Sequence, residues 1–173
     1  MTQQLADAAR TLAQLRALQG GGLLRDGGEL VPGMFLSIDR EQGEVAARFD
    51  SAPGLLCQLS VEVTAPGRWL TLNLALGNAD LSGLEVIGFW CRTRAPQVVT
   101  ARAAIRTGLG EGFEDVPFTR HLVAFGDTST HVDMLQLADF PVLRAEAAWR
   151  NLMLGFEPES FALTIEDLRL LAA

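Results

Sequence analysis

The chain has 173 residues, 14 basic and 21 acidic, for a formal net charge of -7, and hydrophobic residues make up 49% of it. That length and apolar share support a single globular domain with its own core, and the acidic balance excludes non-specific nucleic-acid binding, which depends on basic surface. Every basic residue is an arginine, so Schiff-base or lysine-nucleophile chemistry is excluded as well.

In chain order, residues 2–19 read as a helix that Thr2 can cap, with Leu5, Ala8, Leu12 and Leu15 on one apolar stripe. Gly20, Gly21 and Gly22 stop it. A lone amphipathic helix of this length is marginal in water, so its stripe needs a surface, either the sheet of its own chain or a second copy. The expected organisation is a helix with a glycine linker over 1–22 and a β-sandwich domain over 23–173. No secretory leader pattern and no run of about 20 apolar residues is present, so the expected setting is cytoplasmic, with no membrane partner.

Short strands are expected at Met34 to Asp39 and Val45 to Asp50. Then follow three matched pairs of alternating segments. Leu59, Val61 and Val63 face Leu74, Leu72 and Leu70 around Pro66-Gly67, which predicts a hairpin. Ile87, Phe89 and Cys91 alternate with Trp90, Arg92 and Arg94, and the pattern resumes after Pro96 with Ala101, Ala103 and Ile105 against Arg102 and Arg106. Placing these two arms side by side sets Ile87 against Ile105 and Trp90 against Arg102, and a one-residue slip would bury the arginines. The last pair, Trp149 to Phe156 and Phe161 to Leu171, predicts a third hairpin with Phe156 opposite Phe161 and Arg150 opposite Asp167, an ion pair. The apolar phase then switches, which predicts a bulge near Glu166. Between the second and third pairs, strands are expected at Thr119 to Phe125 and His131 to Leu137, and a loop or single helical turn from Asp139 to Glu146.

About ten short strands with one confident helix predict an all-β antiparallel sandwich, a jelly roll, with an amino-terminal amphipathic helix. Cys57 and Cys91, both on apolar phases, read as buried free thiols. His121 and His131 sit in no metal-ligand spacing, and no GxSxG elbow accompanies them, so neither a metal centre nor a serine triad is expected.

The segments WLTLNLAL (69–76), ADLSG (79–83), EVIGFWCRTR (85–94), WRNLMLGF (149–156) and FALTIEDLRL (161–170) resemble the jelly-roll carbohydrate-binding modules of the galactose-binding-like type over about the last 105 residues. The resemblance implies a non-catalytic module that binds glycans through aromatic residues on one sheet or in end loops. It also implies a structural calcium, whose aspartate Asp167 matches by position. The expected register already gives Asp167 to Arg150, so no cofactor or metal is expected.

Trp69, Trp90 and Trp149 all fall opposite the apolar phase of their strands. If they share a sheet with Asn73, Arg92, Arg102 and Asn151, they form an aromatic platform edged by planar hydrogen-bond donors, suited to a carbohydrate or another small polar ligand. Two alternatives stay open. The helix and the same face can build a homodimer or dock a partner, and a glycan-active enzyme can work through a pair of carboxylates.

Overall fold

The structure, a computed structural model, describes residues 5–173; the expected Thr2 cap lies outside them. Helix α1 (Ala6–Ala17) is followed by strands β1 (Gly20–Leu24), β2 (Glu29–Val31), β3 (Met34–Ile38), β4 (Glu44–Ser51), β5 (Cys57–Ala65) and β6 (Leu70–Gly77). The chain continues through β7 (Val86–Arg94), β8 (Val99–Leu109), β9 (Gly112–Ala124) and β10 (Ser129–Gln136), then a 3-10 turn (Leu137–Asp139) and the short α2 (Pro141–Arg144). It closes with β11 (Trp149–Phe156) and β12 (Phe161–Ala172). Two antiparallel sheets form a sandwich: sheet I runs β1-β4-β5-β12-β7-β10 and sheet II runs β2-β3-β6-β11-β8-β9. The expected jelly-roll sandwich with an amino-terminal helix is the observed fold.

The three matched pairs are not hairpins. In each of β5–β6, β7–β8 and β11–β12 the first and second strand lie in different sheets, so the connection arches over the core. Alternation tells which face of a strand is buried, not which strand lies beside it. Two apolar faces that match side by side match equally well across a core. The rings of Phe156 and Phe161 do meet, with centroids 4.8 Å apart, but they meet between the sheets. The true hairpins are β2–β3, β4–β5 and β8–β9.

The arch between β11 and β12 also removes the expected Arg150–Asp167 pair. Arg150 points inward and is 1% exposed. Its guanidinium donates to the carbonyls of Ala79, Leu143 and Ala145, and burial lowers its pKa. Asp167 instead accepts from Arg16 and Arg169, each at 2.7 Å. The bulge near Glu166 is present, as a register shift between Ile165 and Asp167 in the pairing of β12 with β7.

The glycines that end the helix do not form a loose connection but edge strand β1, paired with β4. A Cβ at Gly21 would sit 2.0 Å from the Phe49 carbonyl oxygen, so this close backbone approach requires glycine. β5 ends its pairing with β12 at Ile165, leaving the second half of β12 without a neighbour on that side. Arg16 of α1 donates to the Leu168 carbonyl there. Leu5, Ala8, Leu12 and Leu15 of the helix are buried in the same core as Leu72, Phe89, Leu154 and Leu168. The apolar stripe is therefore used by its own chain. Cys57 and Cys91 are free and buried as expected, and burial pushes the Cys57 thiol up to about 12.

Candidate binding groove

The side chains of sheet II alternate between the core and an outer face. On β6, Leu70, Leu72 and Leu74 point inward, which turns Thr71 and Asn73 outward, and Trp69, the residue before the strand, is exposed. On β11, Leu152, Leu154 and Phe156 point inward, which turns Trp149, Asn151, Met153 and Gly155 outward. On β8 the outward set is Arg102, Ala104, Arg106 and Gly108, and the register carries it onto Asp115 and Phe113 of β9. A groove of about 460 Å³ runs over this face, walled by Trp69, Arg68, Met153, Pro117 and Glu157 with Thr71, Ala104 and Gly155 in its floor.

The two ends of this outer face are built differently, and of its two exposed indoles only Trp69 lines the groove. At one end Trp69 is 41% exposed, with the Arg68 guanidinium 4.9 Å from its ring centroid. Arg68 is anchored from below by Asp39, a fully buried carboxylate that accepts from both the Arg68 backbone N–H and its Nε at 3.0 Å. Those bonds hold the Asp39 carboxyl below its usual range. At the other end Trp149 is 38% exposed, and its indole lies on Gly108, where a Cβ would come within 2.4 Å of the ring. Beside it Arg106 lies 3.9 Å over the Phe113 ring and holds Asp115 through two hydrogen bonds of 2.7 and 2.8 Å. Trp69 adjoins Leu70, the register partner of Phe156, and Trp149 opens β11, so the backbone positions of the two tryptophans stand roughly 25 Å apart along the strands.

Four of the seven residues singled out from the sequence thus belong to sheet II, Asn73, Arg102, Trp149 and Asn151, and a fifth, Trp69, immediately precedes its strand β6. Asn73 is 2% exposed and spends its amide on the Thr71 hydroxyl and carbonyl, so it cannot reach a ligand. Asn151 is half-buried between its register partners Ala75 and Arg106. Trp90 and Arg92 lie on the outer face of sheet I instead. There Arg169 covers the Trp90 ring at 5.2 Å, and Arg92 pairs with Glu166 at 3.0 Å. The single platform of three tryptophans is not assembled.

Arg68, Arg106, Phe113, Asp115 and Met153 were not singled out from the sequence. Arg68 had a local signal, its adjacency to Trp69. Phe113 and Asp115 had none until β9 is known to begin at Gly112, and its Pro117, tolerated on an edge strand, hides that strand from alternation.

The calcium implied by the resemblance does not fit Asp167. Two guanidiniums and the Leu168 N–H already occupy that carboxylate, so a cation there would meet two like charges. Among the described residues no cluster of three or more His, Cys, Asp or Glu side chains is placed to hold a metal.

No protein-family model matches the chain, and no curated protein does. Among solved structures, the chain is similar to the N-terminal cellulose-binding domain of Cellulomonas fimi β-1,4-glucanase C, with a TM-score of 0.55 and 12% identity over 82% of this chain and 89% of that one. It is equally similar to the CBM22-1 xylan-binding domain of Paenibacillus barcinonensis Xyn10C, with a TM-score of 0.55 and 10% identity over 90% and 97%. A third similar structure is the family 11 carbohydrate-binding module of Clostridium thermocellum in complex with a β-1,3-1,4-mixed-linked tetrasaccharide, with a TM-score of 0.52 and 13% identity over 89% and 96%. The fold is that of the jelly-roll carbohydrate-binding modules.

Proposed function

We propose that this protein is a non-catalytic carbohydrate-binding module, and that its ligand lies along the outer face of sheet II between Trp69 and Trp149. The observation that carries the reading is the groove itself, open, walled by the exposed Trp69 indole, and floored by small side chains that let a flat ring approach the sheet, with a second exposed indole, Trp149, farther along the same face. An indole covers the C–H face of a sugar while guanidinium and amide N–H groups meet its hydroxyls. The shared fold with modules named for cellulose, xylan and a mixed-linked glucan supports it. Calorimetry or affinity electrophoresis against a panel of soluble polysaccharides tests it. Trp69→Ala and Trp149→Ala should each weaken binding several-fold, on the order of 1 kcal/mol for one stacking contact, while Trp90→Ala should leave it unchanged. Loss of binding in Trp90→Ala alone would move the site to sheet I, and no binding to any glycan would reject the reading.

One observation favours the assembly reading. Val132 and Met134, 40% and 52% exposed, lie on the outer face of sheet I with Trp90, the register partner of Val132. A dimer in sedimentation that Met134→Glu splits would establish it. The enzymatic alternative has less support, since Asp115 in the groove is held by Arg106 through both oxygens. Glycan turnover removed by Asp115→Asn would overturn the non-catalytic reading.

A further inference from the structure

We infer that the groove selects an acidic glycan, one carrying a carboxylate or sulfate group, and that Arg102 with His121 receives the anion. The inference rests on the glycan reading and narrows it. The register draws one row straight across sheet II: Ser37 beside Thr71, Thr71 beside Gly155, Gly155 beside Arg102, and Arg102 beside His121. That row holds hydroxyls, a gap where Gly155 has no side chain, a guanidinium and an imidazole, and no carboxylate.

The arginines on either side of this row are already committed. Arg68 is bound to Asp39 and Glu41, and Arg106 faces Asp115 across the same β8–β9 ladder and pairs with it. Among the described residues Arg102 makes no ion pair and no side-chain hydrogen bond, although acidic side chains outnumber basic ones 21 to 14 in this chain. Its cross-strand neighbour is His121, a residue that adds a second N–H donor and, when protonated, a second positive charge. A cation beside a cationisable group is an unfavourable cross-strand pair when nothing negative lies between them. An anionic substituent over the Gly155 gap supplies that negative group. Glu157, the remaining acidic wall residue, stands on the exposed loop beyond β11 rather than in the row.

The net charge of -7 opposes a polyanion at long range, but at physiological salt that field is screened beyond about 8 Å, whereas a guanidinium in contact with the anion is not. A guanidinium that met only neutral hydroxyls would give no preference between acidic and neutral glycans. A charge-assisted contact is worth enough to give roughly tenfold or more.

The experiment is calorimetric titration of the full chain with an oligogalacturonide, a sulfated galactan oligosaccharide, and neutral xylo- and cello-oligosaccharides of matched length, at low and at physiological salt. Arg102→Gln and His121→Ala are titrated alongside, and thermal melting checks that these exposed positions leave the fold intact. The expected result is at least roughly tenfold tighter binding of an acidic ligand that weakens with salt, a preference abolished by Arg102→Gln and reduced by His121→Ala. The carboxylated and sulfated arms identify which anion is taken. Binding of neutral oligosaccharides as tight as of acidic ones, or an acidic preference that survives Arg102→Gln, overturns the inference and leaves the glycan reading standing. Binding of none of the four overturns the glycan reading, and this inference with it.

Discussion

At the scale of single residues, the most consequential side chain is one the sequence pattern assigned to an ion pair with Asp167. Arg150 follows Trp149, the first residue of β11, and is buried among carbonyls rather than carboxylates, with its Nε left without a partner. It ties the loop at Ala79 and the α2 segment to the strand that carries Trp149, so it supports that end of the outer face of sheet II from inside. Removing it strands three buried or half-buried carbonyls and opens a cavity, whereas an unbranched apolar replacement strands the carbonyls but fills the space. Arg150→Ala should lower the free energy of unfolding by about 3 to 5 kcal/mol and Arg150→Met by less, as read from urea denaturation. Equal losses would mean that hydrogen bonds, not packing, set the cost.

At the scale of elements, α1 is part of the sandwich, standing in for the neighbour that β12 lacks after Ile165. Its apolar contacts outweigh its ionic ones. Leu15 is fully buried, while Arg16, paired with Asp167, is partly exposed and screened by solvent. Leu15→Ala should cost about 2 to 5 kcal/mol and Arg16→Ala under about 1 kcal/mol, both measurable by thermal or urea unfolding. The stripe of this helix was legible because its period of 3.6 has one reading. The strands were equally legible as strands, and even the bulge at Glu166 showed as a phase switch. Their partners were not. Ile87 and Ile105 satisfy the same alternation whether β7 and β8 lie side by side or face each other across the core, and nothing local in Ala95-Pro96-Gln97 separates a tight turn from an arch. That ambiguity carried into the site. It is why the outward phase of Trp90, Trp69 and Trp149 could be read while their division between two sheets could not.

At the scale of the whole molecule, the buried titratable groups set how the sandwich responds to acid, in two separate windows. His131 stacks on Phe89 with ring centroids 5.2 Å apart, and its Nε2 is buried without a partner. Burial pushes its pKa below 6.5; the charge of Asp133 on its own strand opposes this and that of Arg120 on β9 adds to it. A histidine whose folded pKa is depressed takes up its proton more readily in the unfolded chain, so its contribution is complete above 6.5 and is lost as pH falls below that value. Asp39 and Asp167 are also depressed, below 3.8. Hydrogen bonds from Arg68 do this for Asp39, while at Asp167 the upward push of burial is outweighed by Arg16 and Arg169. Their contributions persist through the histidine window and are lost only below the ordinary carboxylate value. Urea midpoints measured against pH should therefore be flat above neutrality, decline first below 6.5 and fall again below 3.8. His131→Phe keeps a ring against Phe89 and removes the buried unpaired nitrogen. It should abolish the first decline and leave the second in place, whereas a first decline that survives this substitution would show that His131 does not set it.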